Sequence, residues 1–336
     1  MFKKFNQNRV RNKLPQEYIT KINNDIKKIS PEINKNIEVI EIDTCILNSW
    51  NKDNLLDIKN EDYLNQSNFK VIDKSCIGIC KKTKRLLFYF ITNEDDEDIN
   101  FCLRDAEDVI NGFNKYCPKK TKSFYSSFSS QKDKKNIYVK NNKDYKKYSG
   151  CNWLDGLQRF FCKFKDIGEG RNYIGYYKMN ENGQNDLEWR FKKERLYSLL
   201  YHLEKKYVPE QAEYRLKLLD DSYCKGIMPK ELNPSTCMGA SRDFSSSFHK
   251  DSSVKGTMES IIWTGAKQGK QIFVNGAGFY FNINKNSLIF QVGTDYHGTA
   301  NTGEHGGFGF VNLSKSNLLC NTETTKKLYD NIYNQN

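Results

Sequence analysis

Short apolar runs, one long amphipathic segment and a closing stretch of Gly- and Asn-punctuated β-type runs give this chain three textures. From about Gln16 to Lys115 apolar and polar runs alternate. IEVIEI (37–42) and RLLFYFI (85–91) predict strands, and DAEDVINGFNKY (105–116) predicts a helix with Asp105 as its cap. FKKERLYSLLYHLEKKY (191–207) predicts a longer helix. Its Leu196, Leu199, Leu200 and Leu203 recur at i, i+3, i+4 and i+7, with Lys and Glu opposite. Pro209 opens a second helix, PEQAEYRLKLLDD, where a missing N–H costs nothing. After Ser222 come ESIIWTG (259–265), KQIFVNG (270–276), GFYFNI (278–283), SLIFQVG (287–293) and GGFGFVNL (306–313). Short strands separated by frequent turn signals predict an all-β barrel or sandwich, which the two preceding helices can cover.

The fold class expected is therefore α+β, with a smaller basic N-terminal α+β region and a C-terminal β domain. The division runs as a basic tail (1–15), an N-terminal α+β region (16–117), a Lys/Ser/Tyr-rich linker or loop (118–149), helical support (150–221), the β core (222–318) and a C-terminal tail or short helix (319–336).

Composition changes this picture in two ways. A length of 336 residues with 21 Phe and 20 Tyr excludes a wholly disordered chain. No apolar run approaches the roughly twenty residues of a membrane span, and MFKKFNQNRVRNKLP lacks the apolar stretch of a secretory signal. An intracellular protein, nuclear or cytoplasmic, is expected. The ten cysteines are scattered, the closest pair being Cys76 and Cys80 in a CxxxC spacing, so they read as reduced, buried small hydrophobes.

The net charge of +12 is unevenly spread. From Pro209 onward 13 Lys+Arg face 12 Asp+Glu, which leaves an excess of +11 in the first 208 residues. Attraction to nucleic acid, DNA ahead of RNA, is thus expected in the N-terminal part. Residues 118–149 carry ten lysines interleaved with Ser and Tyr. Such a segment can bind a single strand by charge and stacking, and it can equally be a solvated linker.

Of only four histidines, three fall in the β region: His249, His297 and His305. The first belongs to FHKDSS, an H-x-D triplet. On a strand, residues i and i+2 share a face, so His249 and Asp251 can grip one ion together. His297 follows 46 residues after Asp251, beyond several strand-like runs, in GTDYHGTANTG. A chain that turns back on itself can join the three as a 2-His-1-carboxylate face, which suits iron(II) and leaves open positions. The alternative is two unrelated loop histidines. His202, beside the leucine stripe, reads as an ordinary helix histidine.

FHKDSS, SIIWTG, NGAGFYF and INKNSLIFQVGTDYHGT together resemble the oxygenase core of the TET/JBP superfamily, iron(II)- and 2-oxoglutarate-dependent dioxygenases that modify nucleic acids. The resemblance covers roughly residues 220–315 and, more loosely, the helices from about 150. It implies a double-stranded β-helix of jelly-roll or cupin type, with Fe(II) on His249, Asp251 and His297 and with 2-oxoglutarate and O₂ as co-substrates. It also implies a substrate methyl group on a pyrimidine base. A base taken out of its stack needs aromatic faces, for which Tyr223, Trp263, Phe279 and Tyr296 are candidates. Each has core packing as its plainer role.

One departure matters. The family carries an arginine about ten residues after the distal histidine, to clamp the distal carboxylate of 2-oxoglutarate; here that position is Gly307, and no arginine follows Arg242. A guanidinium–carboxylate pair is not replaced by a neutral group. Three readings stay open: Arg242 reaches the co-substrate from another strand; His305 supplies a weaker clamp together with Lys315; or 2-oxoglutarate is not used. The functions that follow are an Fe(II) dioxygenase acting on a nucleobase, a decayed oxygenase fold that binds nucleic acid, or a related oxygenase hydroxylating a protein or small molecule. No P-loop and no paired-carboxylate motif points elsewhere.

Overall fold

A computed structural model describes residues 13–34, 36–43, 70–118, 151–163, 170–220, 232–243, 250–251, 253–254, 256–267, 271–293, 295, 297–301 and 307–316. The basic tail up to residue 12, most of the Lys-rich segment and the C-terminal tail lie outside the described residues.

The strands are β1 (Glu38–Ile42), β2 (Lys70–Ile72), β3 (Cys76–Cys80), β4 (Leu86–Thr92), β5 (Cys151–Lys163), β6 (Gly170–Tyr176), β7 (Cys237–Arg242), β8 (Met258–Trp263), β9 (Gln271–Asn275), β10 (Phe279–Asn282), β11 (Ser287–Val292), β12 (His297–Asn301) and β13 (Phe308–Leu313). The helices are α1 (Gln16–Ile26), α2 (Asp98–Leu103), α3 (Ala106–Tyr116), α4 (Glu181–Asn185), α5 (Leu187–Tyr207) and α6 (Pro209–Asp220). The α+β class is as expected.

Among the described residues the strands form two mostly antiparallel sheets. The larger has nine strands in the order β1-β3-β4-β11-β8-β13-β7-β5-β6, and the smaller four in the order β12-β9-β10-β2. Only β1–β3 and β2–β10 pair in parallel. The two sheets bury a shared layer of Phe88, Trp263, Phe273 and Phe281. A complete double-stranded β-helix winding goes beyond what these pairings establish.

The expected division of the chain is crossed by the sheets. Strand β4 lies against β11, with Phe90 opposite Ile289, and β2 extends the small sheet beside β10. Residues 150–221, expected as helical support, also carry the long antiparallel pair β5–β6. Strands distant in sequence pair where their apolar faces match, and the runs themselves hold no record of their partner.

Alternation sorts the large sheet into two faces. Met258, Ile262, Phe310, Met238 and Leu288 point to the helices and pack on Leu196, Leu199 and Leu200 of α5. Ile261, Trp263 and Ile289 point to the small sheet. The leucine stripe of α5 is buried as its periodicity requires, but the charges opposite are not all solvated. Lys193, Arg195 and Glu204 are buried too, because α5 lies under α1, α2, α3 and α6. Each is paired: Lys193 with Asp155, Arg195 Nε with Asp25 at 2.6 Å, and Glu204 with Arg215 Nε at 3.0 Å. Asp105 stands at the N-cap position of α3 but makes no side-chain cap bond; its carboxylate turns to Arg195, 3.3 Å away. The guanidinium is the stronger donor.

His202 is half-buried and bonds the Ser198 carbonyl through Nδ1 at 2.8 Å, an ordinary helix histidine as expected. Cys76, Cys80, Cys102, Cys117 and Cys237 are buried, as expected. Among the described residues no helix is long and apolar enough to cross a membrane.

Candidate metal centre

Small residues open a space between the sheets. Gly239 and Ser241 of β7 lie opposite Val311 and Gly309 of β13. A Cβ on Gly309 would come within 2.8 Å of Ser241 Oγ and 2.9 Å of Trp263 Cδ1. What remains is a cavity of about 310 Å³ with Ile261, Trp263 and Val311 on the large-sheet side and Phe273, His297 and Thr299 on the other. That is roughly ten times the ~30 Å³ share of one water molecule.

Asp251 and His297 meet in this cavity. Strand β12 pairs with β9, which sets His297 opposite Asn275 and Thr299 opposite Phe273. The imidazole is buried and stacked on Phe273, ring centres 5.9 Å apart. Its Nδ1 lies 3.0 Å from the Asp295 carbonyl, which can only accept, so Nδ1 carries the hydrogen and Nε2 is turned toward Asp251 Oδ2 at 3.5 Å. Asp251 is fixed by its backbone N–H, which donates to the Gly293 carbonyl at 3.0 Å. A bond from Nδ1 to a carbonyl is the usual support of a metal-binding histidine.

A third group, missed in the sequence, completes the cluster. Glu259 opens β8 on the same face as Ile261 and Trp263 and is fully buried. One ligand atom each from Asp251, Glu259 and His297 lie within 4.8 Å of one another. The signal was a lone acid on the inward parity of MESIIW, a position an apolar residue would fill if packing were its only role. Ser253 Oγ donates to Glu259 Oε1, whereas Oε2 has no hydrogen-bond partner among the described residues.

The three groups perturb each other. Burial, then the charge of Asp251, pushes the Glu259 carboxyl up to about 8. Burial would lower the His297 imidazole, but the Asp251 and Glu259 carboxylates and the Asp295 carbonyl outweigh it and raise it to about 9. A divalent cation bound by these groups would displace their protons to solvent.

The remaining candidate residues separate. Lys315 also lines the cavity. It follows β13 in a bridge to Ser253, and its ammonium donates to the Tyr177 hydroxyl and sits 4.9 Å from that ring's centre. Burial would lower its pKa, but Cys237, Tyr177 and Asp251 together raise it. Arg242 ends β7 with the parity of Met238 and Ala240, whose side chains pack toward the helices, and it is not among the residues that line the cavity. Trp263 lines the cavity beside Phe273; Phe279 packs in the core against Phe88 and Phe281. His249, His305, Tyr223 and Tyr296 lie outside the described residues.

No protein-family model matches this sequence, and no curated protein matches it. Among solved structures, the chain is similar to NgTET1 in complex with 5mC DNA, at 12% identity and a TM-score of 0.46, over 94% of this chain and 97% of that one. A likeness of that degree assigns neither a residue's role nor an activity, and the chemistry of the site rests on its own side chains.

The donor set suits a hard to borderline divalent ion: two carboxylates and one imidazole, with one buried carboxylate oxygen otherwise unsatisfied. Iron(II) fits this set.

Proposed function

We propose that this chain is a non-haem iron(II) dioxygenase that uses 2-oxoglutarate and O₂ to oxidise a methyl-bearing pyrimidine base in nucleic acid. The observation that carries the proposal is the meeting of Asp251 and His297, far apart in sequence, with Nε2 and Oδ2 3.5 Å apart at the wall of a cavity between the sheets. In this reading His249, Asp251 and His297 hold the iron. Bound there, iron with the oxo acid supplies oxidation of an unactivated C–H bond by O₂.

The chain's own residues do the rest. The Asp295 carbonyl keeps the hydrogen of His297 on Nδ1 and leaves Nε2 to the metal. Phe273 and Trp263 make an apolar wall that excludes water. Lys315 meets the distal carboxylate of 2-oxoglutarate, a role supported by its half-buried place in the cavity lining and by the direction of Arg242 away from it. Trp263 offers the stacking face for a flipped base. DNA is held chiefly by the basic N-terminal part, including the Lys-rich segment 118–149.

The test is anaerobic titration of the full chain with Fe(II) and then 2-oxoglutarate. A weak visible charge-transfer band that disappears in Asp251→Asn is expected. Retained iron binding without the band would remove 2-oxoglutarate from the reading. Absence of iron binding would replace the enzyme with a nucleic-acid-binding protein on an oxygenase-like fold. For DNA, Lys→Glu changes within 119–147 of the full chain should weaken binding and flatten its salt dependence.

A further inference from the structure

We propose that, before an oxo acid is bound, Glu259 is a direct ligand of the cation through Oε2, so that the resting centre holds its metal with two carboxylates instead of one. This rests on the cation site proposed above and adds a residue to it that the H-x-D spacing does not contain.

Three observations lead there. First, Glu259 sits in the interior of the large sheet, fully buried and directly opposite Gln291 of β11, with Ile261, Trp263, Ile289 and Val311 among its inward neighbours. An ionised carboxylate in such a place costs several kcal/mol unless a positive charge answers it. Second, its two oxygens are treated differently: Ser253 donates to Oε1, Oε2 receives no N–H or O–H from the described residues, and the carboxyl lies within hydrogen-bond reach of the Asp251 carboxyl, a pair of acids that must share a proton or a cation. A group clamped at one oxygen and open at the other is set up for a ligand. Third, space for the carboxylate comes from Gly293, whose missing side chain would otherwise collide with Glu259 Oε1 and Cδ. The same glycine's carbonyl accepts from Asp251. One turn thus positions both acids.

The spacing agrees. Ligand atoms that all lie within 4.8 Å of one another can share one ion with bonds of roughly 2.0–2.2 Å after side-chain movements of about an ångström. Two carboxylates neutralise a divalent cation, where a single one leaves it positive. The centre therefore gains affinity for oxygen-preferring ions such as Mn(II).

The experiment uses full-length protein and Mn(II) alone, with affinity read by calorimetry or by the loss of the free-ion EPR signal. Glu259→Gln, a near-isostere, is expected to lower Mn(II) affinity at least tenfold, as Asp251→Asn does. Its unfolding midpoint without metal should stay at or above that of the unsubstituted chain. If the unsubstituted chain binds Mn(II) and Glu259→Gln binds it within twofold, Glu259 is no ligand and the inference is overturned while the cation site stands. If the unsubstituted chain binds no Mn(II), the cation site itself fails. Should Glu259→Gln not fold, Glu259→Asp serves instead, since it keeps the charge and withdraws the oxygens by one methylene; a several-fold loss supports the ligand role, and unchanged affinity overturns it.

Discussion

Gly307 stands against Thr264 so closely that a Cβ on it would lie 2.6 Å from the Thr264 carbonyl oxygen, and its φ of +98° is one that L side chains rarely adopt. Thr264 holds the next residue as well: its N–H donates to the Phe308 carbonyl at 2.9 Å, and its Oγ1 accepts from the Phe308 N–H at 2.8 Å. The position where the resembled family carries its clamping arginine is therefore built around glycine.

Gly307→Arg should consequently fail to restore a clamp. We expect it to lower stability by about 1–3 kcal/mol from the backbone conformation alone, with the contact to Thr264 adding to this. Denaturant unfolding checks the cost. A variant as stable as the parent, with tighter 2-oxoglutarate binding, would show that the strand start can rearrange.

The alternative anchor proposed above is Lys315. Lys315→Met keeps the stem and removes the charge, and should weaken 2-oxoglutarate binding at least tenfold with Fe(II) affinity within twofold, since a charge-assisted hydrogen bond contributes roughly 1.5–3 kcal/mol. Tyr177→Phe, which removes the hydroxyl holding the ammonium, should give a smaller loss. The charge-transfer band measures both, and unchanged 2-oxoglutarate affinity in Lys315→Met would dismiss the anchor.

Behind the metal centre, Arg215 joins α6 to both flanks of the site. It donates to Glu204 at 3.0 Å, to Ser314 Oγ at 3.0 Å and to the Met258 carbonyl at 2.6 Å, and Ser260 Oγ donates to Glu204 at 2.8 Å. Met258 precedes Glu259, and Ser314 precedes Lys315. Arg215→Met leaves Glu204 buried without its cation and should cost about 3–5 kcal/mol. The double change Arg215→Met/Glu204→Gln should recover part of that loss; a double variant no better than the single one would argue against the charge as its cause.

The pairing of Asp25 sets an acid limit. Burial alone would raise its pKa, but hydrogen bonds from Lys28 and Arg195 outweigh this and hold the carboxylate below its ordinary 3.8. A depressed folded-state pKa contributes stability that is present above the unfolded value and is lost as pH falls through the folded one. Asp25→Asn should therefore destabilise the chain at pH 7, with the gap to the parent narrowing below about pH 4. Thermal midpoints from pH 7 to pH 3 test this; a constant gap would mean that Asp25 acts by packing.

Much of the local structure was legible in the sequence. The leucine stripe of α5, the proline that opens α6 and the alternating runs of β8 to β11 and β13 announce their elements, because helix and strand periods are properties of neighbouring residues. Strand β7, reading CMGASR, gave no such signal, since Gly239 and Ser241 face the cavity and leave Met238 and Ala240 as its contribution to the helix-side core. Asp251 and His297 were also legible as candidate ligands, because an H-x-D triplet and a later histidine are scarce features in a chain with four histidines.

What the sequence by itself determined is which residues share a face: Glu259 with Ile261 and Trp263, and Arg242 with Ala240 and Met238. Which face looks inward was decided only by the tertiary structure, through pairings such as β4 with β11 that join segments far apart in the chain. Alternation has a period but no absolute phase. So the same rule that turns Arg242 toward the helices brings Glu259 to Asp251 and His297, and only the packed sheets distinguish the two.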